Sequence, residues 1–200
     1  MPVSPITLYF DFSSPYAYLA SRLIEDIAAR HDRGIEWVPM LLGPVFAATG
    51  ARPLVEQPLK GDYALHDMQR SARYHGVPFR VPQPFPIATH QAARVALALQ
   101  REQPALATPW IHAVFDAYFT QGRNVADMPV LHALGAELGL SAERIDAFCA
   151  DAQVKAALRA NVERALGAGV CGAPFFVVDD EAFWGVDRLP QLERWLQARF

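Results

Sequence analysis

The sequence predicts an α/β chain in which a β-α-β unit at the front and a β-β-α unit at the back form one sheet around an inserted block of helices. Three observations carry this prediction. Short apolar runs at 6–12 and 35–39 flank a helical stretch. Strand character returns at 174–184 and is followed by a terminal helix. Between these ends the chain reads as helix from about 89 to 167.

Residues 6–12 form a buried strand. Ser13, Ser14 and Pro15 then supply hydroxyl caps and a first-turn proline, so a helix starts there and runs to about Arg30. His31 to Gly34 ends it, and Ile35–Pro39 is a second strand, paired parallel to the first. From 43 to about 90 the chain is rich in Pro and Gly, with loops flanking one helix at 62–75. Helices follow at 89–101, 105–120, 127–138, 141–149 and 151–167. Pro174–Val178 is a strand, Asp179 to Glu181 a hairpin turn, Ala182–Trp184 the returning edge strand, and 187–198 the last helix. The two ends make one sheet only if they meet across the helices. That order describes a thioredoxin-like fold split by an all-helical insertion. The expected division is 1–42 with 168–200 as the thioredoxin-like part and 43–167 as the insertion.

Composition excludes several classes. Of 200 residues 52% are apolar and 20% charged, which supports a globular core and argues against disorder. The net charge is −3 and Lys and Arg are scattered, so no basic face is available for nucleic acid. No run approaches the roughly 18 apolar residues of a membrane span. The N-terminus lacks a basic region and a small-residue cleavage site, so a cytoplasmic location is expected. Cys149 and Cys171 are far apart, form no CxxC and are expected to be free thiols. His66, His75, His90 and His112 have no ligand spacing with carboxylates, so no metal is expected.

Three segments converge if the fold is right. Ser14 lies where the first strand meets the first helix, a position that favours an anion and lowers the pKa of a thiol held there. With no His base nearby in sequence its hydroxyl is a weak nucleophile, but it suits a donor to a bound thiolate. The alternative is a plain N-cap. Pro174 opens a strand after Ala173; were that bond cis, the Ala173 main chain would be presented to an extended, peptide-like ligand. The alternative is an ordinary trans proline. Asp187 and Arg188 follow a Gly turn, where Asp187 suits a ligand ammonium and Arg188 a carboxylate, or Asp187 simply caps a helix. Phe46, Tyr63, Trp110, Phe115, Tyr118 and Phe119 either line an apolar cleft or pack between helices.

The motifs FDFSSPYAYL (10–19), LLGPVFAATGARP (41–53), GVPF (76–79), FPIAT (85–89), GVCGAPFFVV (169–178) and FWGVDRL (183–189) together resemble the 2-hydroxychromene-2-carboxylate isomerases and the kappa-class glutathione transferases, within the DsbA-like group. Redox-active members of that group open the first helix with Cys-Pro-x-Cys; here Ser14-Pro15-Tyr16-Ala17 stands in its place, which rules out dithiol chemistry at this position. The resemblance implies glutathione as cofactor, with Ser14 as the catalytic serine. It implies Ala173 and the cis Pro174 against the cysteinyl unit, Asp187 and Arg188 against the γ-glutamyl end, and Lys60 as a further contact. Two positions depart from the pattern: Ala51 and Ala88 stand where the family often has Asn. The implied reaction is isomerisation of a small aromatic substrate by reversible thiolate addition. Rival readings are a transferase that consumes glutathione and a non-catalytic binding protein; a homodimer is the expected assembly.

Overall fold

The computed structural model describes residues 4–198. Its sheet has four strands in the order β2-β1-β3-β4. β1 (Ile6–Phe10) and β2 (Ile35–Pro39) are parallel, with Ile6 opposite Ile35 and Phe10 opposite Pro39. β3 (Phe175–Val178) runs antiparallel to β1, and β4 (Glu181–Trp184) antiparallel to β3. The front and back of the chain therefore share one sheet, in a mixed α/β, thioredoxin-like arrangement. β3 and β4 are joined at Asp179 and Asp180, both at positive φ, the backbone a two-residue hairpin turn requires.

The strand pattern places the two faces. Ile6, Leu8 and Phe10 alternate onto one side with Phe176 and Val178, and all are buried. They pack against α5 (His90–Glu102) and α6 (Pro104–Phe119), including Trp110 and Phe115. Tyr9 and Phe175 turn to the other side and meet Val45 of α3 (Leu42–Thr49) and Val162 and Ala165 of α9 (Ala152–Gly167). Each such apolar side chain contributes about 1.5–3 kcal/mol on full burial. The edge of β2 is tied to the helices by two amides: Gln100 donates to the Trp37 carbonyl at 2.7 Å and Asn161 to that of Pro39 at 3.0 Å.

α7 (Met128–Glu137), α8 (Ala142–Ala150) and α9 fall where the sequence places them, as do α5 and α6. Other elements differ. The first helix is two, α1 (Pro15–Ser21) and α2 (Ile24–Arg30). At the break the Ser21 hydroxyl donates to the Tyr18 carbonyl at 2.7 Å, and Arg22 and Leu23 close tighter bonds onto Leu19 and Ala20. α3 occupies a stretch expected to be loop, with Pro44 inside its first turn. A 3-10 turn at Leu54–Glu56 precedes α4 (Lys60–His75), and another at Val186–Arg188 precedes α10 (Leu189–Ala198). Trp110, Phe115, Tyr118 and Phe119 are fully buried, so these four pack the core and line no cleft. No helix among the described residues is long and apolar enough to cross a membrane.

Candidate active site

Ser14 is the N-cap of α1, in extended backbone, with Pro15 in the first helical position. Its Oγ accepts from the Ala17 N–H at 3.2 Å and donates to the Ala173 carbonyl at 2.8 Å. The side chain is only 4% exposed. The hydroxyl proton therefore already has an acceptor in the chain itself, on the segment that the sequence singled out as its partner across the site.

That segment is shaped by its glycines and proline. The Ala173–Pro174 bond is cis. The Pro174 carbonyl accepts from the Gly185 N–H at 3.0 Å, extending the β3–β4 ladder by one pair. Gly172 lies beneath the Trp184 indole: a Cβ there would stand 2.5 Å from Nε1, so only glycine fits without moving the ring. Gly185, at φ +107°, turns the chain into the 186–188 segment. Asp187 and Arg188 are exposed there and face each other, Arg188 Nη2 to Asp187 Oδ2, at 3.4 Å. An open cleft of about 410 Å³ runs beside them, lined by β4, Arg188, Gln191 and Trp195. Ser14 does not line it; the two halves of the expected site are a buried hydroxyl and an open, charged rim.

The organising group beneath Ser14 is Asp11, which is 5% exposed. Its Oδ1 accepts from the Ser13 N–H at 2.8 Å and the Thr89 hydroxyl at 2.6 Å, and its Oδ2 from the Leu42 N–H at 2.7 Å. Its own carbonyl accepts from the Ser14 N–H at 2.9 Å. Asp11 thus supplies the cap that α3 lacks locally, since Leu41 has no capping side chain. Burial raises its carboxyl above the ordinary carboxylate range, against the lowering effect of these bonds. Ser13 Oγ accepts from Ile87 N–H at 3.2 Å. Tyr18 and Tyr118 donate to the carbonyls of Pro78 and Pro84 at 2.7 and 2.8 Å, so the 78–89 segment is fastened to the same corner. Two further cis prolines, Pro84 and Pro86, lie in that segment.

Tyr16, two residues after Ser14, donates to Asp67 Oδ2 at 2.6 Å, joining α1 to α4. Burial, then the bond to Asp67, pushes the Tyr16 phenol well above its ordinary value. Burial works to raise Asp67 too, but the Tyr16 and Arg70 bonds hold its carboxyl below the usual range. Arg70 pairs with Asp67 and donates to the Tyr63 hydroxyl at 2.9 Å. Lys60 opens α4; among the described residues its side chain makes no ion pair, and it is exposed. Gly61 packs on the 54–56 turn, where a Cβ would stand 2.8 Å from the Val55 carbonyl oxygen. Cys149 and Cys171 are both free thiols, the first buried.

The structure therefore brings Ser14, Ala173 and Pro174 together and puts Asp187 and Arg188 two and three residues after Gly185, which pairs with Pro174. Sequence reasoning did not single out Asp11, Thr89, Tyr16 or Asp67. The available signal was an acidic residue between Phe10 and Phe12 at the end of an apolar strand, where a carboxylate is buried only with partners.

Sheet order, the cis proline facing a helix start, and that helix start without cysteine define a thioredoxin-fold protein with no redox dithiol in the first helix. The chain belongs to the DsbA-like thioredoxin-domain family, whose pattern matches residues 5–197. It is 30% identical over 196 residues to a 2-hydroxychromene-2-carboxylate isomerase of Sphingobium xenophagum, covering 96% of this chain and 97% of that one. It is 26% identical over 214 residues to the kappa-class glutathione S-transferase 2 of Caenorhabditis elegans, covering 98% and 92%. A solved structure of a 2-hydroxychromene-2-carboxylate isomerase superposes with a TM-score of 0.86 at 24% identity, over 96% of this chain and 94% of that one. Within the family the chain is thus similar to isomerases and kappa-class transferases.

Proposed function

We propose that this chain is a glutathione-dependent isomerase acting on a 2-hydroxychromene-2-carboxylate-type aromatic substrate. The observation that carries the reading is the Ser14–Ala173 pair: a hydroxyl at a helix start, facing the main chain beside a cis proline, in a helix without cysteine. The residues fit the tripeptide. The Ala173 main chain suits a peptide-like cysteinyl unit, and Asp187 with Arg188 offers opposite charges to a zwitterionic end. Lys60 offers a free ammonium. Bound glutathione would supply a thiolate that adds reversibly to a conjugated carbon of the substrate and is regenerated by elimination.

The chain's own part is positional and electrostatic. Ser14 turns its hydroxyl from the Ala173 carbonyl to the sulfur, and the released carbonyl becomes an acceptor for the ligand's amide N–H. One internal hydrogen bond is exchanged for two to the ligand, so closure over Ser14 in the free chain costs little when the ligand enters. Lys60 is one candidate donor to the oxygen that gains charge in the substrate.

The test is turnover of 2-hydroxychromene-2-carboxylate with and without glutathione, with total thiol counted throughout. Conversion that needs glutathione and leaves its concentration unchanged supports the isomerase. Stoichiometric thiol loss on electrophiles supports instead a kappa-class-like transferase, the second reading, which the Caenorhabditis elegans relative favours. Binding without any turnover supports a carrier.

A further inference from the structure

Asp11 has no part in the scheme above, yet the entrances to α1, α3 and α5 are all fastened to it. Both carboxyl oxygens receive main-chain N–H groups, from Ser13 at the entrance to α1 and Leu42 at the start of α3, and Oδ1 also receives the hydroxyl of Thr89, which immediately precedes α5. Resting on the reading of Ser14 as the seat of a glutathione sulfur, we infer that Asp11 is a positioning residue that holds the Ser13–Ser14 turn and, through its charge, sets how readily the bound sulfur ionises.

The physical case has two parts. Burial raises the Asp11 carboxyl, but both of its oxygens accept main-chain N–H bonds and Oδ1 a hydroxyl besides, an arrangement that favours the anion and opposes that raise. That anion lies one peptide unit from Ser14, inside the fold, where charges interact more strongly than in water. It therefore opposes a second negative charge at the sulfur, while its bond to the Ser13 N–H keeps the turn that offers the Ser14 hydroxyl. The two effects act in opposite directions on the thiol, which makes them separable.

The groups around Asp11 do not replace its charge. From α6, Tyr118 faces it, and burial with the Asp11 charge pushes that phenol up. On α1, Tyr16 and Tyr18 are bonded away to Asp67 and Pro78. α3 has no ionisable side chain. On α5, Arg94 is bonded to Gln91 and the Cys149 carbonyl, and His90 is held below its ordinary value by burial and then by Arg94. Among the described residues no cation is paired with Asp11.

The experiment titrates the thiol of bound glutathione by its ultraviolet mercaptide absorbance in wild type and Asp11→Asn, with S-methylglutathione affinity measured in both. The expected result is a midpoint lower in the variant by about one pH unit, a tenfold gain in thiolate below the midpoint, with S-methylglutathione still bound. A midpoint that stays or rises overturns the inference, because a merely structural role would damage the Ser14 turn and raise it. Should Asp11→Asn not fold, the carbon-13 carboxyl shift of Asp11 in wild type decides: a carboxylate across the pH range of the thiol titration is expected, and a protonated Asp11 there overturns it. Failure of wild type to bind glutathione at all overturns the functional reading itself, and this inference with it.

Discussion

Ser14 Oγ donates a 2.8 Å hydrogen bond to the carbonyl oxygen of Ala173, 159 residues further along the chain. The same oxygen accepts the Ala17 N–H and caps α1. One hydroxyl thus joins the helix start to the cis-proline segment. Ser14→Ala removes the cap and leaves the part-buried Ala173 carbonyl without this donor. The expected loss is about 1–2 kcal/mol of stability, read by chemical denaturation. A variant as stable as wild type would show that the bond does not fasten the two segments.

The Tyr16–Asp67 bond joins α1 to α4, and with it the helix that opens on Lys60. A double-mutant cycle of Tyr16→Phe and Asp67→Asn should give a coupling of about 1 kcal/mol near neutral pH. Asp67 is held below its unfolded value, so its contribution is present above the ordinary Asp pKa of about 4 and is lost as pH falls through the lower, folded value. Coupling that persists unchanged in acid would contradict an ionised Asp67.

Gly61 admits no side chain without a shift, because the obstacle is the Val55 backbone oxygen rather than a flexible side chain. Gly61→Ala should separate the 54–56 turn from α4, at a cost of about 1–3 kcal/mol. If Lys60 holds the ligand, glutathione affinity should fall as well, whereas the same stability loss with unchanged affinity would remove Lys60 from the site.

Cys149 is the less reactive cysteine at neutral pH. Burial pushes its thiol up to about 11. Iodoacetamide at pH 7.5, followed by peptide mass spectrometry, should leave it unmodified in the folded protein. Its folded pKa lies above the unfolded value near 9, so stability should fall as pH rises from about 9 through about 11. Rapid alkylation of Cys149 in folded protein would contradict its burial.

How far the sequence carried this reading depends on whether the governing contacts are local. The strands, their parallel and antiparallel pairing and the capped start of α1 were legible, since apolar runs, a Ser-Ser-Pro entrance and an Asp-Asp turn act within a few residues. α3 was not: Gly43 and Pro44 read as loop, and its first N–H is satisfied by Asp11, 31 residues away. The split between α1 and α2 turns on one Ser21 side chain competing for a carbonyl. At the site, Ser14, Ala173 and Pro174 were legible from motif order. Their mutual hydrogen bond and the Asp11 junction were not, because residue types reveal neither which donor faces which acceptor nor that one carboxyl serves three segments.

The most direct measurement is a calorimetric titration of glutathione into wild type and Ser14→Ala, with the mercaptide absorbance of the bound thiol followed against pH. Saturable binding to wild type is expected, with a thiol that ionises near neutral pH. In Ser14→Ala that ionisation should move back toward the value of free glutathione. Absence of binding to wild type, or a bound thiol whose ionisation does not depend on Ser14, would contradict the site.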